Sequence, residues 1–196
     1  MSRSNIKSVT YPNLGWDTAA DIYFPPGFDQ NRKYPAIVST HPIGSCKEQT
    51  AGNIYAKGLA EEGFVVLVHD ASFQGASGGT PRFIEDPSIR VSDIRFAIDY
   101  LQSLPYVDAS RIGAIGVCGG GAYTVHAGIT DHRIKALVSI TGVKLRSTDP
   151  RRLRQLQAAR IHRKHGRDAY RRSPRRRTSC GQPVARFRGS GKEGRH

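Results

Sequence analysis

The sequence predicts an α/β fold on a mainly parallel sheet, and two observations carry that prediction. Short apolar runs alternate with helical patterns from residue 36 to 141, and one run, Ile112-Gly-Ala-Ile-Gly116, feeds directly into Gly116-Val117-Cys118-Gly119-Gly120 and then a helix. Strands separated by helices are joined by crossovers, which make neighbouring strands parallel. A Gly-x-Cys-x-Gly turn between strand and helix is a nucleophile elbow with cysteine in the reactive place.

Along the chain, Ile6 to Tyr11 and Ala19 to Phe24 read as strands, an antiparallel pair at the sheet's edge. Ala36-Ile-Val-Ser-Thr40 and Phe64-Val-Val-Leu-Val68 have the unbroken apolar character of parallel strands buried on both faces. Between them a helix is predicted over Thr50 to Glu62, ended by Gly63. The clearest helix runs from Ser88 to Leu104, where Val91, Ile94, Ile98 and Leu101 share a face; Ser88 is the expected N-cap and Pro105 the stop. Ile112–Gly116 is the elbow strand, a third helix runs from Gly119 to about Thr130, and Ala136-Leu-Val-Ser-Ile140 resembles the earlier strands.

After Val143 the pattern ends. Residues 146–196 hold 11 apolar-class residues in 51, with arginine runs at Arg171-Arg172 and Arg175-Arg176-Arg177. Such a segment buries too little apolar surface to offset an ordering cost of ~1–2 kcal/mol per residue, and disorder is expected, with a short helix from Asp149 to about His162 as the one local alternative. The charge divides at the same place. Residues 1–145 carry 13 Lys and Arg against 13 Asp and Glu, and residues 146–196 carry 17 against 3, so the tail holds all of the formal +14. The basic balance therefore says nothing about what the folded part recognises.

The organisation expected is a domain over residues 1–145 and an appendage over 146–196. Cys46, Cys118 and Cys180 are an odd number at unrelated spacings, which argues against a disulfide framework or structural zinc. The first residues lack the apolar segment of a secretory signal and no run approaches ~20 apolar residues, so a cytoplasmic protein with no membrane contact is expected. Gly113, Gly116 and Gly119 are spaced G-x-x-G-x-x-G, which misses the dinucleotide fingerprint, and no Walker lysine follows. Neither cofactor nor metal is expected, and composition sets no oligomeric state.

An elbow holds its central residue in a strained conformation, and glycines flank it because a Cβ there would collide with the neighbouring strand or helix. The Cys118 sulfur is then lifted above the sheet at a helix N-terminus, whose unpaired N–H groups and positive dipole end favour thiolate over thiol. A cysteine merely buried in the core is the competing reading.

Other motifs stand in order along the same body: His41-Pro42-Ile43-Gly44 followed by Lys47-Glu48-Gln49, then Asp70-Ala-Ser-Phe-Gln-Gly75-Ala-Ser77-Gly78-Gly79, Pro81-Arg82 and Glu85-Asp86-Pro87, ahead of Gly116-Val-Cys118-Gly-Gly. With this series, residues 5–143 resemble the dienelactone-hydrolase-like branch of the α/β-hydrolases. The resemblance implies an α/β-hydrolase fold acting on small ester or lactone substrates through a cysteine acyl-enzyme, with Cys118 as nucleophile. It implies that Ile43 and Gly119 supply the two N–H donors of the oxyanion hole.

Ser77 also satisfies Gly-x-Ser-x-Gly, but Thr80-Pro81 follows where a helix must begin, so a loop bordering the site is the preferred reading. Asp70 is read as a carboxylate bracing a loop, and His41 as a loop residue orienting the backbone rather than a base. By the resemblance, the triad acid and histidine lie after the elbow, on loops following two further strands. The chain is expected to lack those strands, leaving the sheet open at Ala136–Ile140 and impairing activity. His126 lies about 12 Å along the elbow helix and faces away from the sulfur, and His132 belongs to a surface turn. Two readings of the tail compete: a frame shift near codon 143 of a GC-rich gene, favoured by 15 Arg against 2 Lys, or a genuine appendage. The second is the rival function, a non-catalytic protein that binds nucleic acid through the tail alone.

Overall fold

The computed structural model describes residues 5–142. Its strands are β1 (Ile6–Asn13), β2 (Trp16–Tyr23), β3 (Tyr34–Thr40), β4 (Val65–His69), β5 (Val107–Val117) and β6 (Ile134–Ile140). They form one sheet in the order β1-β2-β4-β3-β5-β6. β1 and β2 pair antiparallel, β2 meets β4 antiparallel, and β3, β4, β5 and β6 run parallel. A π-helical segment (Thr50–Ala56) continues as α1 (Lys57–Glu61), followed later by α2 (Pro87–Ser103) and α3 (Gly119–Thr130).

The helices cover both faces of the sheet. Val65 and Leu67 of β4 face a core shared with Val91, Ile94, Ile98 and Leu101 of α2, while Val66 and Val68 face Ala51, Ala56 and Ala60. Period-two alternation with both faces covered is why this strand reads as an unbroken apolar run. Leu67 is fully buried at the centre of the sheet. Leu67→Ala is expected to cost about 2–5 kcal/mol, measured by urea unfolding followed through the fluorescence of the single tryptophan, Trp16.

Two expectations are corrected. The N-cap of α2 is Asp86, not Ser88: its carboxylate accepts the N–H groups of Ser88 (2.8 Å) and Ile89 (3.1 Å), and Pro87, which has no N–H to satisfy, occupies the first helical position. The helix expected over Thr50 to Glu62 begins as a π-helical segment and is α-helical only over its last five residues. Among the described residues β6 pairs with β5 alone, and Leu137 and Val138 are 38% and 51% exposed. No helix among the described residues is long and apolar enough to cross a membrane. The reading of residues 146–196 as a disordered, nucleic-acid-binding or frame-shifted tail lies outside the described residues.

Candidate active site

Thr40 pairs with Gly116 and Val117 with Ile140, so the C-terminal ends of β3, β5 and β6 lie side by side at one edge of the sheet. Open α/β sheets bind ligands at this edge. Cys118 sits there at φ 55°, ψ −120°, as N-cap of α3 and partly exposed. Its N–H donates to the Ile140 carbonyl (2.9 Å) and its own carbonyl accepts from Gly121 N–H (3.0 Å), so both sides hold the strained residue. Two glycines make the turn possible. A Cβ at Gly116 would lie 2.3 Å from the Gly120 carbonyl oxygen, and one at Gly120 would lie 2.6 Å from the carbonyl oxygens of Thr40 and His41.

The loop after β3 folds over the start of α3, and the side chain of Ile43 covers Gly119: a Cβ at Gly119 would lie 2.5 Å from Ile43 Cγ1. The structure thus brings Cys118, Gly119 and Ile43 together, although they come from two loops 75 residues apart in sequence. Cys46, by contrast, is fully buried.

His41 is fully buried, and both its ring nitrogens are occupied. Nδ1 lies 2.7 Å from the Pro42 carbonyl oxygen, and Nε2 accepts the N–H of Ala71 (3.0 Å) with Arg90 Nη1 at 3.1 Å. Burial, with the Arg90 charge beside it, pushes its pKa well below the usual histidine range. It orients a loop, as expected.

Ser77 is buried; its hydroxyl donates to the Asp70 carbonyl (2.7 Å) and accepts Ala19 N–H (2.9 Å), so it ties a loop to β2 and faces no site. Asp70 braces the same loop, its carboxylate accepting the N–H groups of Lys47 and Ala76 at 2.8 Å each. Cys46, Glu48 and Asp70 place one donor atom each within 4.8 Å of one another. Both Asp70 oxygens are already taken by N–H groups and the Lys47 ammonium bonds Glu48, so the place of a cation's charge is filled. His126 and His132 are exposed, and His162, His165 and His196 lie outside the described residues.

Sequence reasoning missed Arg90, Asp93 and His69. Arg90 is 2% exposed, its Nη2 donates to the His41 carbonyl (2.6 Å), and its guanidinium lies 5.2 Å from the Tyr123 ring centroid and 3.4 Å from Glu85. Asp93 accepts from Asn13 (2.8 Å), the Ser72 hydroxyl (2.6 Å) and the Ser72 N–H (2.9 Å). One signal could have found them: both are charged residues on the inward face of α2, flanking the apolar stripe of Val91, Ile94 and Ile98.

His69 is also fully buried, and neither ring nitrogen has a hydrogen-bond partner among the described residues. Burial lowers its pKa to about 4, against the pull of the Asp93 carboxylate and with the help of Arg90. The folded state therefore keeps His41 and His69 neutral where the unfolded chain protonates them, and stability is lost as pH falls from about 6.5 towards 4. Together they are expected to shift the folding equilibrium towards unfolding by roughly 10-fold between pH 7 and pH 6 and by an amount approaching 10²-fold between pH 6 and pH 5. His69→Leu is expected to halve this contribution, as read from urea midpoints at pH 7, 6 and 5.

Residues 25–162 match the model of the dienelactone hydrolase family. Protein YcjY of Escherichia coli is 57% identical over 147 residues, spanning 75% of this chain and 48% of that protein. The crystal structure of PA2218 from Pseudomonas aeruginosa superposes with a TM-score of 0.69 at 35% identity, covering 86% of this chain and 55% of that one. The thiohydrolase aneE of Aspergillus aculeatus is 31% identical over 109 residues, 54% of this chain and 33% of its own length. The chain spans about half the length, or less, of these relatives. With the strand order and the family match in agreement, the chain belongs to the dienelactone hydrolase family and carries its α/β-hydrolase fold.

Proposed function

We propose that this protein cleaves small ester or lactone bonds through an acyl-cysteine on Cys118. The observation that carries the reading is the conformation of Cys118: φ 55° is held at the N-cap of α3, on the edge of the sheet where the β3 loop crosses it. Strain of this kind persists only where surrounding structure enforces it, and the sulfur it holds is partly exposed.

In the proposed step the Cys118 thiolate attacks the carbonyl carbon, forming a C–S bond while the carbonyl π electrons move onto oxygen. The N–H groups of Ile43 and Gly119 bind that oxyanion, and the positive end of α3 faces the developing charge. The carbon–oxygen bond to the leaving group then breaks, the electron pair leaves with the alkoxide, and the alkoxide takes a proton from water. Hydrolysis of the thioester by water completes the cycle. Among the described residues no histidine or carboxylate hydrogen-bonds Cys118, so nothing described here supplies a base for the water. Acylation is the step these residues support, and deacylation is slow in this reading.

The experiment is trapping. With p-nitrophenyl acetate at neutral pH, intact-protein mass spectrometry is expected to show one acetyl group, and peptide mapping to place it on Cys118. Acetylation of Cys46, or of surface lysines alone, would overturn the reading.

A further inference from the structure

The loop bearing Ile43 is locked by a relay that begins in the middle of α2. A peptide unit is a rigid plane, so the direction of the Pro42 carbonyl fixes the opposite direction of the Ile43 N–H. That carbonyl oxygen accepts from two groups, His41 Nδ1 (2.7 Å) and Ser45 N–H (3.2 Å). The partners also decide the tautomer of His41. A carbonyl oxygen can only accept, so Nδ1 carries the proton; Ala71 N–H and the Arg90 guanidinium can only donate, so Nε2 offers its lone pair. Arg90 takes a second grip through Nη2 on the His41 carbonyl at 2.6 Å. His41 thus has its ring held from α2 and from the loop after β4, and its one remaining proton is spent on the Pro42–Ile43 peptide.

We infer that His41 and Arg90 are positioning residues of the oxyanion hole: neutral His41, clamped by Arg90, holds the Pro42–Ile43 peptide so that the Ile43 N–H points at the carbonyl oxygen of a substrate on Cys118. This rests on the function proposed above. It gives a buried arginine and a buried histidine one shared task, performed without either touching the substrate. Without the Nδ1–H anchor the Pro42 carbonyl keeps only the longer bond from Ser45 N–H (3.2 Å), and the Ile43 N–H is less firmly preorganised where charge develops.

The test compares two reactions of the same sulfur in the full chain. Acetylation of Cys118 by p-nitrophenyl acetate passes through an oxyanion, whereas alkylation by iodoacetamide is a displacement at saturated carbon that forms none. Both rates are read by quenched mass spectrometry on one sample of each variant, under conditions where circular dichroism shows it folded, because unfolded chain reacts with the ratio of free cysteine. His41→Ala is expected to lower the acetylation-to-alkylation ratio by about 10²-fold, the usual effect of losing one oxyanion donor. Arg90→Gln is expected to lower it in the same direction, and His41→Asn, whose amide places an N–H near the Nδ1 position, to recover most of it. Wild-type ratios in both His41→Ala and Arg90→Gln would overturn the relay and leave the acyl-cysteine reading standing. So would equal losses in His41→Ala and His41→Asn, which mark a steric role. A wild-type ratio no higher than that of free cysteine would overturn the oxyanion hole itself, and the relay with it.

Discussion

Cys118→Ala is expected to abolish acyl transfer to the protein, lowering the rate with an activated ester by roughly 10³-fold or more, while the thermal transition stays close to wild type. The sulfur is the only group of the elbow that makes or breaks a bond in the proposed reaction, and its deletion leaves no substitute: Ser77 spends its hydroxyl on Asp70 and Ala19, and Cys46 is fully buried. Ser77→Ala, which removes a loop tie, is expected to cost about 1–2 kcal/mol of stability and to leave acetylation of Cys118 intact. Cys118→Gly separates chemistry from architecture still further. At φ 55° a side chain is held at a cost of about 1–2 kcal/mol that glycine does not bear. The glycine variant is therefore expected to be inert yet about 1 kcal/mol more stable than wild type, a gain in denaturant midpoint that marks the strain as kept for function. Retained acetylation in Cys118→Ala would remove this residue from the mechanism.

Gly120→Ala is expected to be the most damaging single methyl group in the site. The added Cβ would lie 2.6 Å from two backbone oxygens, those of Thr40 and His41, and neither can swing aside. Thr40 is fixed in the β3–β5 ladder opposite Gly116, and the His41 carbonyl is held by Arg90. The structure can accommodate the methyl only by moving the start of α3 away from the β3 loop, which costs about 1–3 kcal/mol and separates Gly119 from Ile43, the two proposed oxyanion donors. Acetylation of Cys118 is expected to fall roughly 10²-fold with iodoacetamide alkylation nearly unchanged. Gly119→Ala is the control, because its Cβ comes too close only to Cγ1 and Cδ1 of Ile43, side-chain atoms rather than backbone, with Ile43 Cβ at an ordinary 3.6 Å. A milder effect at Gly120 than at Gly119 would contradict the packing described for the elbow.

Much of this was legible in the sequence, and for identifiable reasons. Strands buried on both faces leave unbroken apolar runs, so β3, β4 and the elbow strand could be read directly. Gly116 and Gly120 on either side of Cys118 declare a tight turn, because its constraints are local: flanking positions without room for a Cβ. The start of α2 was misplaced by two residues because Ser88 and Asp86 are both good caps, and only the geometry of the carboxylate decides between them.

The sequence by itself determined the α/β class, the order of elements and the strand–turn–helix that carries Cys118, since periodicity and turn chemistry are written in neighbouring residues. The tertiary structure alone decided what surrounds them. It placed Ile43 over Gly119, spent Ser77 and Asp70 on bracing, and closed a buried relay from Arg90 through His41 to the Pro42–Ile43 peptide. Those partners lie up to 49 residues apart, and a hydrogen bond across that separation depends on the helix–sheet packing that brings its two ends together, which no local pattern encodes.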